Sequence, residues 1–342
     1  MRLMAFAALY SSVLTSCYLS RQGYRQAELL MSREPIDKVL EADKITPDTK
    51  KKLTFTKSVL DFAKKSGLEV GDSYKYYIEL GGEAVSYTVQ AARPTQMELK
   101  SWWFPIVGRV PYLGYFDRKD RDKEAEALEK EGFEIYKGSV AAYSSLGWFA
   151  DPVYSSMLRR SDVDLAHLYF HEITHRTLWL KGGVEFNENL AEFVADVLTR
   201  EFFTSLNRLS ELEDFKIEQQ DYRLFKGWLD ELRRSLKTSL EASRDKHEKD
   251  RVVEKTKVID MAIAKKPAFN HVDFVGSGTW NNARILAAGL YSPNTSMFEA
   301  STACFVKTGD PSWVGNFLKS LKKKADSTND GFSALTTLCK GS

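Results

Sequence analysis

The segment SDVDLAHLYFHEITH (161–175), followed beyond Gly182-Gly183 by FNENLAEF (186–193), decides how this chain is read. Ser161 with Asp162 and Asp164 just after it predicts a helix start, because acids in a first turn oppose the helix dipole. Gly182-Gly183 predicts a reversal, with a second helix from about Asn187 to beyond Leu198. His171 and His175 stand at i and i+4, on one face and one turn apart. Two imidazoles so placed can grip one metal ion. Ala166, Leu168, Tyr169 and Phe170 mark this helix for a core. There, two histidines and a glutamate are costly unless a metal or a hydrogen-bond network satisfies them.

Glu172 lies beside the first histidine, where it can serve a hydrolytic water as general base. Two imidazoles leave a tetrahedral zinc one protein ligand short. His167 does not supply it: His167 to His175 covers about 12 Å of helix rise, too far to share one ion. It is expected to be a structural or cleft-wall residue. Glu188 and Glu192 share a face of the second helix. Glu188 is the expected third ligand, with Glu192 accepting the free ring N–H of a ligating histidine. The cofactor expected is one zinc per chain, and the chemistry is metal-assisted hydrolysis of a peptide bond. Tyr143 and Tyr291, in loop-like segments, are candidate oxyanion donors. Arg109 is a candidate for a substrate carboxylate.

The chain opens with Met1-Arg2 and an apolar run from Leu3, too short for the about 20 residues that span a bilayer. It ends Leu14-Thr15-Ser16-Cys17, which looks like a bacterial lipobox. Residues 1–16 are then a lipoprotein signal peptide and Cys17 is lipidated, tying the chain to a membrane on the periplasmic or extracellular face of the cell envelope. Cys304 and Cys339 remain as a pair able to form a disulfide outside the cytoplasm.

Hydrophobic residues make up 43% and charged residues 28%, a globular balance. The 49 Lys and Arg against 47 Asp and Glu argue against nucleic-acid binding by bulk charge. Thr46-Pro47-Asp48 predicts a helix start and Gly67 its stop. Segments 84–92, 102–107 and 133–137 predict strands, and 117–132 a charged helix. Residues 205–265 predict a charged antiparallel helical pair, 272–278 strand or loop, and 281–290 and 296–306 helices. The fold class expected is α+β: a mostly helical body with a small β-sheet and a charged helical insertion. Residues 17–204 form an N-terminal α+β part with the zinc site, 205–265 the charged region, and 266–342 a mostly helical part completing the same domain.

The histidine motif with its following Asn-Glu pair resembles the gluzincin group of zinc peptidases. That resemblance implies His171, His175 and Glu188 as ligands and Glu172 as base. The link from His175 to Glu188 is shorter here than in larger members, which leaves Glu192 as the alternative to Glu188 for the third ligand. The segments SREPID (32–37), WWFPIVG (102–108), YLGYFD (112–117), YSSLGWF (143–149) and Phe170-His171-Glu172 resemble a family of bacterial lipoproteins called predicted or putative aminopeptidases. The resemblance implies a peptide substrate and aminopeptidase action. An envelope scaffold or binding lipoprotein with a structural or vestigial zinc site is the alternative. Glu172 argues against it, since a structural site has no use for a base.

Overall fold

The computed structural model describes residues 22–25, 27–42, 45–82, 84–104, 108–140, 151–276, 278–289, 295–306, 310–328 and 330–339. The chain is α+β, mostly helical with small sheets, as the sequence pattern predicts. It divides into two compact units. The first comprises residues 33–81, 142–217 and 291–342, the second residues 1–32, 82–141 and 218–290. The boundary at 217/218 falls within the helix Leu209–Ala242.

The first unit holds the histidine motif on the helix Asp162–Thr177, hereafter the histidine helix. Ser161 caps it by accepting the Asp164 N–H at 3.1 Å. Its inner face buries Leu165, Ala166, Tyr169, Phe170 and Ile173, and each large apolar side chain contributes roughly 1.5–3 kcal/mol. The helix Pro47–Lys65 starts at Thr46 with Pro in its first turn, as read from the sequence. It packs Phe62 edge-on against Phe170 at 6.0 Å and meets Tyr169 OH through Thr56 Oγ1 at 3.1 Å. Gly67 ends this region at φ +86°, where a Cβ would lie 2.8 Å from Gly315 Cα. The close approach of the two backbones therefore requires glycine.

A second helix, Val184–Ser205, hereafter the carboxylate helix, begins three residues before the predicted Asn187. Asn187 does not cap it. It turns back instead, accepting the Leu180 N–H at 2.9 Å and donating to the Leu180 carbonyl at 2.8 Å. This double bond pins the reversal, with Gly182 at φ +81°. Phe186 and Phe193 anchor the outer side of the helix on Phe298, at 5.7 and 5.4 Å, and Phe186 also meets Phe332. A small sheet pairs Tyr76–Ile78 antiparallel to Glu34–Pro35 and parallel to Val153–Tyr154. Cys304 and Cys339 form a disulfide, bearing out the expected pair.

In the second unit, strand Ser86–Ala92 is flanked antiparallel by Leu113–Tyr115 and Glu134–Val140. The helix Arg118–Lys130, capped by Asp117, covers it through Ala125 and Leu128. The predicted strand 102–107 is observed as Trp102–Phe104, its remaining residues lying outside the described ones. The charged region resolves into Leu209–Ala242 and Glu248–Ala264. Their antiparallel sense shows in Trp228 Nε1 donating to the Ala262 carbonyl at 2.8 Å and Arg251 donating to the Leu240 carbonyl at 3.3 Å. Their inner faces bury Phe225, Leu229, Leu236 and Ile259 with Trp280. Between residues 272 and 276 the chain is a loop. The buried Asp221 carboxylate receives the backbone N–H groups of Asn270, His271 and Val272, and Asp273 Oδ1 receives those of Val275 and Gly276, so side chains take the donors a strand would pair. Among the described residues no helix is long and apolar enough to cross a membrane.

Candidate active site

The histidine and carboxylate helices run antiparallel, and their facing residues pair turn by turn. His175 meets Glu188, His171 meets both Glu188 and Glu192, and His167 meets Glu192 and Asp196. Each step of four along one helix is matched by four in the opposite sense along the other, which follows from the shared 3.6-residue period.

His171 Nε2 lies 3.1 Å from His175 Nε2 and 3.4 Å from Glu188 Oε2. His175 Nε2 lies 3.5 Å from Glu188 Oε1. Bonds of about 2.0–2.1 Å to a tetrahedral zinc place neighbouring ligand atoms about 3.3 Å apart. The three side chains therefore already stand at the spacing such an ion demands, and they fit zinc in donor type as well as distance. Glu188 faces both histidines, through Oε2 to His171 and Oε1 to His175. Glu192 stands behind His171, its Oε2 3.4 Å from Nδ1. The Nδ1 of His175 is buried with no hydrogen-bond partner among the described residues, and the ring rests edge-on against Trp179 at 5.2 Å. One imidazole is thus oriented by a carboxylate and the other by packing.

The electrostatics follow from this closeness. Burial pushes the His171 imidazole down, but Glu188 and Glu192 outweigh it and lift the ring to about 10. Burial pushes Glu188 up, but His171 and His175 outweigh it and hold the carboxyl at about 2. The imidazole and the carboxylates thus stabilise each other's charged forms.

Glu172 is half-buried and lines a pocket of about 250 Å³ with Arg160, Asp164, His167, Leu168, His171 and Glu192. The candidate base therefore faces space a substrate can enter. His167 is a wall of that pocket, as expected, and its ring lies 5.4 Å from that of Phe215. Tyr143, Tyr291 and Cys17 lie outside the described residues. Arg109 belongs to the second unit, on a short strand opposite Trp103.

Two residues of this neighbourhood escape a sequence reading. Asp196, 3.1 Å from His167, was detectable only as the next i+4 step after Glu188 and Glu192. Tyr74 sits buried at φ 61°, its ring 4.7 Å from that of Tyr169. Burial raises its phenol well above the ordinary range, and the carboxylates of Glu172 and Asp151 add to the rise. A strained backbone at a non-glycine residue carries no sequence signature.

Two imidazoles and a carboxylate from paired helices converge on one point, a donor set that could hold a metal ion, with a further glutamate on the adjoining pocket. The chain belongs to the family described as “Putative aminopeptidase”, which it matches over residues 17–328. No curated protein and no solved structure matches it.

Proposed function

We propose that this chain is a zinc-dependent peptidase, acting as an aminopeptidase and carried on the bacterial cell envelope by a lipid at Cys17. The observation that carries the reading is the convergence of His171, His175 and Glu188 within 3.1–3.5 Å, with Glu172 on the adjoining pocket. Membership of the aminopeptidase family supports the substrate class.

His171 and His175 would hold the metal through Nε2 and Glu188 through its carboxylate. When bound, zinc supplies Lewis-acid polarisation of the scissile carbonyl and acidifies water at that point. Glu172 takes the proton of the attacking water and returns it to the leaving amine. Glu192, facing Nδ1 of His171, keeps that proton on Nδ1 and leaves Nε2 free for the metal. The pocket rim carries both Arg160 and Asp164, so either end of a short peptide meets an opposite charge there.

The disulfide supports an oxidising compartment and so an exported chain. The family match that starts at residue 17 supports reading residues 1–16 as a leader. The decisive test is hydrolysis of peptide libraries with free and acetylated N-termini, before and after chelation. Cleavage of free-amine peptides that stops with the chelator and returns with zinc is expected. Equal cleavage of both libraries rejects the aminopeptidase reading. Cleavage indifferent to the chelator rejects the zinc mechanism.

A further inference from the structure

One turn beyond the proposed zinc ligands the two helices bring together a second set of donors. His167 Nε2 lies 3.1 Å from Asp196 Oδ1 and 4.0 Å from Glu192 Oε1. Donor atoms of His167, Glu192 and Asp196 lie within 4.8 Å of one another. Their side chains are 17%, 27% and 24% exposed, the range of a site screened from bulk water but still reachable. His167 and Glu192 line the pocket, which leaves room for waters to complete a coordination shell.

We propose that His167, Glu192 and Asp196 form a second divalent-cation site, distinct from the one built by His171, His175 and Glu188. The reasoning is geometric and chemical. Bonds of about 2.1 Å place adjacent ligands of an ion about 3.0–3.4 Å apart. The His167–Asp196 pair already stands at that spacing. The Glu192 oxygen, 4.0 Å from His167 Nε2 and within 4.8 Å of the Asp196 donor, has to close on both to join them. Two carboxylates drawn this close around one imidazole favour a positive charge between them. The set contains one imidazole and two carboxylates, against two imidazoles and one carboxylate at the first centre. It is therefore the harder of the two, better suited to manganese and weaker for zinc.

The two centres share Glu192. Its Oε2 faces His171 Nδ1, while Oε1 faces His167. A cation drawing on Oε1 takes electron density from the oxygen that orients His171. Occupancy of either centre thus changes affinity at the other, and the coupling is reciprocal.

The test is metal stoichiometry of the full chain, stripped with a chelator and dialysed against zinc or manganese, read by elemental analysis. Two ions per chain are expected at saturation, the second released first as free metal falls. Asp196→Asn and His167→Gln should each bind one ion, and His171→Ala should lose the other. Circular dichroism confirms that each variant is folded. Wild type saturating at one ion that His171→Ala loses overturns the second site, as do folded Asp196→Asn and His167→Gln variants that still bind two. A single ion retained by His171→Ala and lost by Asp196→Asn supports the second site while rejecting the first.

Discussion

Nδ1 of His171 faces Oε2 of Glu192 at 3.4 Å, so the ring's other nitrogen is turned toward His175 and Glu188. One carboxylate decides which edge of the imidazole can reach a metal. Glu192→Gln keeps the shape and removes the charge. It should weaken zinc about 10–100-fold without unfolding the chain. Competition with a chromogenic chelator measures this, and unchanged affinity would show that Glu192 does not orient the ring.

Glu172 lines the pocket but contributes no atom to the His171–His175–Glu188 cluster. Glu172→Gln should therefore retain zinc and lose turnover by about 10²–10⁴-fold, the usual contribution of a general base. His175→Ala should lose both metal and activity. Turnover of Glu172→Gln equal to wild type rejects the assigned base.

Asp162, at the start of the histidine helix, is buried and paired to Lys52 Nζ at 2.7 Å and Arg208 Nη2 at 2.7 Å. Burial pushes its carboxyl up, but the two cations outweigh it and hold it below the ordinary 3.8. A carboxyl depressed in the folded state binds fewer protons there than when unfolded. Its stabilisation is therefore complete above about pH 4 and is lost as pH falls further. Asp162→Asn should cost roughly 2 kcal/mol at pH 7 and flatten the acid limb of the stability curve. Urea unfolding between pH 2 and 7 checks both; parallel curves for the two proteins would contradict the assignment.

The Cys304–Cys339 bond joins residues 35 apart and ties the helix Ser296–Val306 to the segment after Gly331–Leu335. The helices Ser296–Val306 and Gly331–Leu335 carry Phe298 and Phe332, which pack on Phe186, two residues before Glu188. Closing a loop of this length stabilises by about 4 kcal/mol in the chain-entropy model. Reduction, or Cys304→Ser with Cys339→Ser, should lower the thermal midpoint and loosen metal retention. Melting curves that superimpose with and without reductant would refute the claim.

The anchor proposal predicts incorporation of labelled fatty acid into wild type and none into Cys17→Ser. Labelling of both variants discards the lipid site at that position.

Much of this protein is local and therefore legible. Helix starts at Thr46, Asp117 and Ser161 follow from short polar side chains that bond the first free N–H groups, and the structure has them there. The carboxylate helix starts at Val184, three residues before Asn187, whose side-chain amide serves Leu180. The loop at 272–276 was ambiguous for a similar reason. Its Val272 N–H goes to Asp221, some 50 residues earlier, and its Val275 and Gly276 N–H groups go to Asp273 Oδ1, so side chains take donors that a strand would pair.

The candidate site divides along the same line. By sequence alone the chain determined that His171 and His175 share a helical face, because the 3.6-residue period is intrinsic to the backbone and needs no partner. Glu188 and Glu192 likewise had to share a face. Which of them meets both imidazoles depends on the register between two helices. That register is set by the Asn187–Leu180 clasp and by phenylalanines brought from the far end of the chain onto Phe186 and Phe193. Only tertiary packing could bring Asp196 to His167 and set the ring of His175 edge-on against Trp179. Contacts between side chains on separate elements depend on how those elements dock, and docking is a property of the assembled core.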